Sequence, residues 1–388
     1  MEYLIELALD VKIKEFRSKI NLTHDKHPDN LKEFFIHENT EINSILVNDS
    51  PVKWFTEDIE HPFIPDADKL VLKSDTLTDI DGPTNIELDI KGHIDITTYD
   101  INQISDDYIE LNIYSPWYPL PIDLRSSKAT TSISGLEEFY LLKGRKDEND
   151  KRWHLELEGT DNYIIAFRQP QLEELQLEVG LIRLINSRVC EKRDLIKGSI
   201  EEILDYYNDI FSDKVDSQRE LNVVIAPRKK GSAYCRPDLI VMTEAEMPRQ
   251  RYEMILAHEL SHIWFTGAEV ASWEDWLNES FAEYCSLLYI EEKYGREPYK
   301  EAIKKMIKDT KNCPPIKGSD RTSEEGAKIR YKGTVLLHEL REQFGLDIVK
   351  EIFNQLCQLE VKTTDNLIDK LEGTNQEVAR FLAEKIIY

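Results

Sequence analysis

His258-Glu259-Leu260-Ser261-His262, with Trp276-Leu277-Asn278-Glu279 following after a short spacer, is the stretch whose reading decides the rest of the chain. On a helix, positions four apart project from one face a turn apart, so His258 and His262 can aim imidazole nitrogens at a single metal ion. Glu259 lies one step round the helix, beside the metal and not on it. There a carboxylate can take a proton from a water that the metal has acidified and pass it to a leaving amine. Catalytic zinc takes three protein ligands and keeps a fourth position open, and Glu279 on a second helix can supply the third. Tyr252, Met254, Ile255, Leu256, Ile263 and Trp264 give the first segment a buried helical character. A surface helix carrying the motif by accident would show more charge.

Composition narrows the classes. The chain has 388 residues, 41% of them hydrophobic, and a formal charge of -25, which suits an acidic globular protein of two or three domains. The charge is spread without long blocks of one sign, so nucleic acid, whose phosphates need clustered Lys and Arg, is not an expected partner. A cationic substrate would suit the charge. The start, MEYLIELALDVKIKEF, carries Glu2, Glu6 and Asp10 and alternates like a strand, unlike an export signal. No run approaches the length of a membrane span. Five cysteines, Cys190, Cys235, Cys285, Cys313 and Cys357, are odd in number and match no disulfide framework or paired-cysteine zinc site, so a reducing cytoplasm is expected.

The pattern changes near residue 190. Before it come short alternating runs at Tyr3 to Ile13, Ile42 to Val47, Leu70 to Leu72, Ile86 to Ile90, Ile94 to Thr98, Tyr108 to Tyr114, Trp153 to Leu157 and Tyr163 to Phe167, punctuated by turn residues. After it the period is helical at Ile200 to Phe211, Glu246 to Thr266, Trp276 to Lys293, Pro298 to Lys308, Ala327 to Phe344, Asp347 to Leu359 and Gln376 to Ile387. Strand-like Leu221 to Ala226 and Leu239 to Met242 precede the motif helix. The expected fold class is α+β in two domains: an antiparallel β domain over 1–192 and a mainly helical domain over 193–388.

HELSHIWF (258 to 265) followed by WLNESFAEY (276 to 284) resembles the gluzincin zinc peptidases of the membrane alanyl aminopeptidase and leukotriene hydrolase family. The resemblance implies a saddle-like β-sandwich followed by a thermolysin-like domain, one zinc per chain on His258, His262 and Glu279, and Glu259 as general base. The spacer here is slightly shorter than the family's, and Glu269, Glu274 and Asp275 do not match the flanking pattern. Because the chain stops at Tyr388, the resemblance further implies a short form without the family's helical carboxy-terminal domain, and a more open site. Tyr114-Ser115-Pro116-Trp117-Tyr118-Pro119 is similar to a segment of the family's β domain and reads as packing.

Two further elements are implied. The family's oxyanion tyrosine corresponds to the region Ile329-Arg330-Tyr331-Lys332-Gly333-Thr334, where Tyr331 is the candidate and strict register gives Arg330. The family's amino-terminus-binding segment corresponds to Gly231-Ser232-Ala233-Tyr234-Cys235-Arg236-Pro237, where the simplest alignment puts Tyr234 in place of a glutamate. Gly231, Ser232, Ala233 and Tyr234 are therefore candidate peptide-binding residues by β-augmentation, without the amino-terminal anchor. Glu283, one turn beyond Glu279, and Asn278 could hydrogen-bond behind the ligands; a solvated or packed role explains each as well. His338 reads as a packed or surface histidine. The expectation is a cytoplasmic, zinc-dependent, aminopeptidase-like hydrolase of peptides, against a hydrolase of a non-peptide amide or epoxide and a non-catalytic zinc-binding scaffold.

Overall fold

The strand Glu2–Asp10 shows why the first part of the chain folds as sheet: Tyr3, Ile5, Leu7 and Leu9 are buried while their neighbours are exposed, with the strand period of two. The structure, a computed structural model, describes residues 1–25, 31–73, 83–95, 97, 100–187, 190, 192–211, 219–230, 233–321 and 323–387. It divides into two compact units, Met1–Gln171 with Pro227–Gly231, and Leu172–Ala226 with Ser232–Tyr388.

In the first unit, Glu2–Asp10 lies inside an eight-stranded sheet. Its order is Arg145–Lys146, Trp153–Gly159, Ser127–Ser134, Glu2–Asp10, Glu15–His24, Thr84–His93, Thr40–Val47, Ser50–Pro51. All pairings in it are antiparallel except that of Glu2–Asp10 with Ser127–Ser134. A parallel neighbour needs a long crossover, and the chain between these two strands supplies it. Two four-stranded sheets share the core, one built on Ile164–Phe167 and Tyr108–Leu111, the other on Glu33–His37 and Ala67–Leu72. Trp117 and Tyr118 are buried within that core, and the Tyr118 hydroxyl accepts the Asn162 N–H at 3.1 Å. The expected strand Ile94 to Thr98 is not formed at Ile94 and Thr97, and residues 96 and 98 lie outside those described.

Arg228 explains why Pro227–Gly231 joins this unit. Its side chain is fully buried, with Nε 3.7 Å from Glu110 Oε2, and that same oxygen accepts the Tyr108 hydroxyl at 2.9 Å. A buried guanidinium is stable only where an opposite charge meets it.

The second unit is built on a five-stranded sheet in the order Gln171–Leu177, Gly180–Asn186, Glu220–Ala226, Leu239–Thr243, Tyr234–Arg236. Gly180–Asn186, Glu220–Ala226 and Leu239–Thr243 run parallel, and Tyr234–Arg236 is an antiparallel edge. Because Gly180–Asn186 pairs with Glu220–Ala226, the units divide at 171/172 and not at 192/193. Helices follow: α1 (Arg193–Ile210), α2 (Arg249–Ser261), α3 (Trp276–Tyr294), α4 (Arg296–Asp309), α5 (Ile329–Phe344), α6 (Leu346–Cys357), α7 (Thr364–Glu372) and α8 (Gln376–Ile387). The sequence pattern left α7 unassigned. Its N-cap, Thr363, accepts the Asn366 N–H at 3.2 Å, and the Thr364 N–H meets the Glu274 carboxylate at 2.8 Å, a partner that local reading does not see.

Candidate metal and catalytic centre

The motif sits on α2, a helix fixed on several sides. The Tyr207 hydroxyl donates to the Ala257 carbonyl at 2.8 Å, and the Tyr252 hydroxyl donates to the Thr243 carbonyl at 2.9 Å. Glu253, fully buried, accepts Ser199 Oγ at 3.1 Å, Arg249 Nε at 2.7 Å, Lys293 Nζ at 3.0 Å and Tyr294 Oη at 2.6 Å. One carboxylate thereby ties α1, α2 and the end of α3 together. The helix was expected to run to Thr266 but ends at Ser261, since His262 to Trp264 fold into tight turns with N–H groups on the Glu259, Leu260 and Ser261 carbonyls. His262, as the C-cap, keeps helical dihedrals, so the four-residue spacing of the two imidazoles survives.

Glu279 reaches them from the first turn of α3. Its Oε2 lies 3.5 Å from His258 Nε2 and its Oε1 3.6 Å from His262 Nε2. The three residues bring one ligand atom each within 4.8 Å of one another. Donors placed tetrahedrally around zinc at about 2.1 Å stand roughly 3.4 Å apart. The spacing is too long for good hydrogen bonds and suits an ion between the donors. The second such cluster among the described residues, Asp147, Asp150 and His154, differs in kind. It lies on a turn where Asp147 and Asp150 already accept the Asn149 and Arg152 N–H groups at 2.7 and 2.9 Å.

Further groups stand behind the candidate ligands. His262 Nδ1 is 2.9 Å from the Phe265 carbonyl, which places its proton there and leaves the Nε2 lone pair facing Glu279. Glu283 Oε2 is 3.2 Å from His258 Nδ1, beside it but off the line of a good hydrogen bond. Asn278 accepts the Ala268 N–H at 3.2 Å, donates to the Ala268 carbonyl at 3.1 Å, and donates to Asp275 Oδ1 at 2.9 Å. It thereby staples the spacer to α3.

Charge at the site is dominated by carboxylates. Burial alone would lower the pKa of His258, but Glu279 and Glu283 outweigh it and push it up to about 10. Burial likewise raises Glu259, against the pull of His258 and His262. Burial works against ionised Glu279 too, yet the two histidines hold its carboxyl well below the usual range. Two imidazoles thus stand in a field that favours a cation between them.

Residues singled out in the sequence fall in different places. Arg330 and Tyr331 open α5. Arg330 Nη1 is 3.9 Å from Glu279 Oε2, its Nη2 donates to the Tyr331 hydroxyl at 2.6 Å, and its guanidinium lies 4.6 Å from the centre of the Tyr331 ring. The two act as one unit beside the ligand. Gly333 makes that approach possible, since a Cβ there would meet Ser280 Oγ of α3 at 2.1 Å. Tyr234 is buried on the edge strand with the Arg236 guanidinium 4.8 Å over its ring. Cys235, next along the strand, points to the opposite face; it is half-buried, and its thiol pKa is pushed up by desolvation and then by the charge of Glu259. Ala233 is buried; Gly231 and Ser232 lie outside the described residues. Glu269 is exposed, Glu274 caps α7, and Asp275 is held by Asn278 and by Arg321 Nη2 at 2.5 Å. His338 packs on α5, its Nδ1 2.8 Å from the Tyr299 hydroxyl. The Phe265 carbonyl and Arg321 had no signal in the sequence, one being backbone and the other joined to the site only in three dimensions.

Comparison with known proteins gives this geometry its setting. Residues 229–383 match the peptidase family M1 domain. Probable aminopeptidase 2 of Sulfurisphaera tokodaii is 26% identical over 164 residues, 38% of this chain; the match spans 21% of that protein's length. The M1 zinc metallopeptidase of Deinococcus radiodurans superposes with a TM-score of 0.62 at 16% identity, over 100% of this chain and 93% of that one. Yeast LTA4 hydrolase gives a TM-score of 0.66 at 13% identity, over 99% of this chain and 66% of that one. A β-sheet unit before a helical unit is common to this fold. Residues 229–383 thus match the peptidase family M1 domain, and the whole chain shares the fold of the Deinococcus radiodurans M1 zinc metallopeptidase and of yeast LTA4 hydrolase.

Proposed function

We propose that the chain is a zinc-dependent metallopeptidase that hydrolyses peptide bonds, with zinc held by His258, His262 and Glu279. The observation that carries this reading is the convergence of two Nε2 atoms on the two oxygens of Glu279 at 3.5 and 3.6 Å, with Glu259 buried beside them. Bound zinc would supply an acidified water and a polarised carbonyl. Glu259 takes the proton from the attacking water and delivers it to the departing amine, a role that a carboxylate raised by burial is suited to. The Arg330 and Tyr331 pair presents N–H and O–H donors to the oxyanion; one such donor is worth about 3 to 4 kcal/mol of barrier. The Phe265 carbonyl orients the His262 imidazole, Glu283 places its charge beside His258 Nδ1, and Asn278 holds the turn that carries Glu279.

The edge strand beginning at Tyr234, with Ala233 just before it, offers main-chain groups to an extended peptide. No glutamate stands in the segment 231–237 to pair with a substrate ammonium, so the reading is aminopeptidase-like chemistry without a strict requirement for a free amino terminus. Every cysteine is a free thiol, which supports the reducing cytoplasm as its compartment. The test is to incubate zinc-loaded protein with matched peptides in free and amino-terminally acetylated forms and identify products by mass. Cleavage of both forms is the expected result. Removal of single residues from the free peptides alone would restore strict aminopeptidase action, and no cleavage of either would remove the peptidase reading.

A further inference from the structure

Arg321 is a buried cation with a fork of two contacts on two different turns. Its Nη2 donates to Asp275 Oδ2 at 2.5 Å, and its Nη1 donates to the Gly326 carbonyl at 3.2 Å. Asp275 immediately precedes α3, one turn before Glu279, and its other oxygen accepts Asn278. Gly326 begins the short 3-10 turn that leads into α5, where Arg330 and Tyr331 stand. The backbone is tightly folded at that point, for a Cβ on Gly326 would meet the Asp320 carbonyl oxygen at 1.6 Å. One planar guanidinium therefore braces the turn carrying the third metal ligand against the turn carrying the oxyanion donors. Lysine could not do this, since a single ammonium lacks the rigid fork.

We infer that Arg321 is a positioning residue: through Asp275 and Gly326 it fixes Glu279 relative to Arg330 and Tyr331, and so sets both metal affinity and turnover. This rests on the metal site proposed above. The chain Arg321 to Asp275 to Asn278 to Ala268 also continues behind the spacer between the histidines and Glu279, so the same guanidinium steadies both approaches to the ligand.

The experiment compares Arg321→Met, Asp275→Asn, the double variant and Arg321→Lys with wild type. Zinc affinity is read by chelator competition, coordination by the visible spectrum of the cobalt-substituted protein, and turnover by kcat and KM separately. Each single change is expected to weaken zinc about 10- to 100-fold and to alter the cobalt spectrum, with kcat falling more than KM rises. The double variant should lose little more than the worse single one, because the two side chains act as a pair. Arg321→Lys, which keeps the charge, should fall between wild type and Arg321→Met and serves in its place if the latter does not fold. A fall in melting temperature with unchanged zinc affinity and cobalt spectrum would overturn the inference, as would additive losses. Wild-type protein that binds no zinc would instead overturn the metal site itself, and this inference with it.

Discussion

The two sides of the candidate centre differ in how their side chains are held. On the α2 and α3 side, each ligand has a group behind it: the Phe265 carbonyl for His262, Glu283 for His258, Asn278 and Asp275 for the turn of Glu279. On the edge-strand side, Tyr234 carries the Arg236 guanidinium over its ring while the half-buried Cys235 turns the other way. The first side is arranged for one chemistry. The second offers main-chain groups and few polar side chains, which suits the proposed grip on a peptide's backbone without recognition of its terminus. On the function proposed above, reaction type and specificity fall to different elements of one unit.

The comparison can be broken most severely at the ligands. His262→Ala should leave too few donors and abolish stoichiometric zinc retention, as measured by metal analysis after dialysis; full retention would place the metal elsewhere. Next in size is the donor pair: Tyr331→Phe and Arg330→Met should each lower kcat about 10²- to 10³-fold while zinc stays bound. The unequal loss between them identifies which donor meets the oxyanion. Glu283→Gln should weaken zinc about 10- to 100-fold in chelator competition, and an unchanged affinity would make Glu283 a bystander.

Two smaller effects concern support for the centre. Glu253 loses by burial but gains more from Tyr294, Arg249 and Lys293, so its folded pKa lies below the ordinary value. Its contribution is therefore present above that ordinary value and is lost as pH falls through the folded one. Glu253→Gln should cost about 3 kcal/mol near neutrality and flatten the acid side of the stability profile in urea titrations. Gly333→Ala should cost about 1 to 3 kcal/mol by forcing α5 from α3 at Ser280, with kcat reduced alongside. A variant as stable and active as wild type would mean that the contact is not tight.

Much of the centre was legible because its residues are local in sequence. The spacing of His258, Glu259 and His262 follows from helix periodicity, and Glu279 came with a recognisable neighbourhood. What escaped reading depends on partners far along the chain or on buried polar residues. Ser127–Ser134 buries Ser127, Ala129, Thr131 and Ile133, so its alternation is of small and polar side chains that hydrophobic patterning does not register. Glu15–His24 likewise puts Ser18 and His24 on its inner face. The helix Thr364–Glu372 is short, and beside its local cap at Thr363 it draws on Glu274, far along the chain. Arg321 carries no local signal, since Asp275 and Gly326 meet it only in three dimensions.

In the proposed mechanism Glu259 moves the proton at a metal site it does not itself bind. The most direct measurement is peptide cleavage by wild type and Glu259→Gln at equal, independently measured zinc content. Equal zinc with cleavage reduced about 10²-fold or more is the predicted result. Cleavage at wild-type rate with zinc intact would contradict the account.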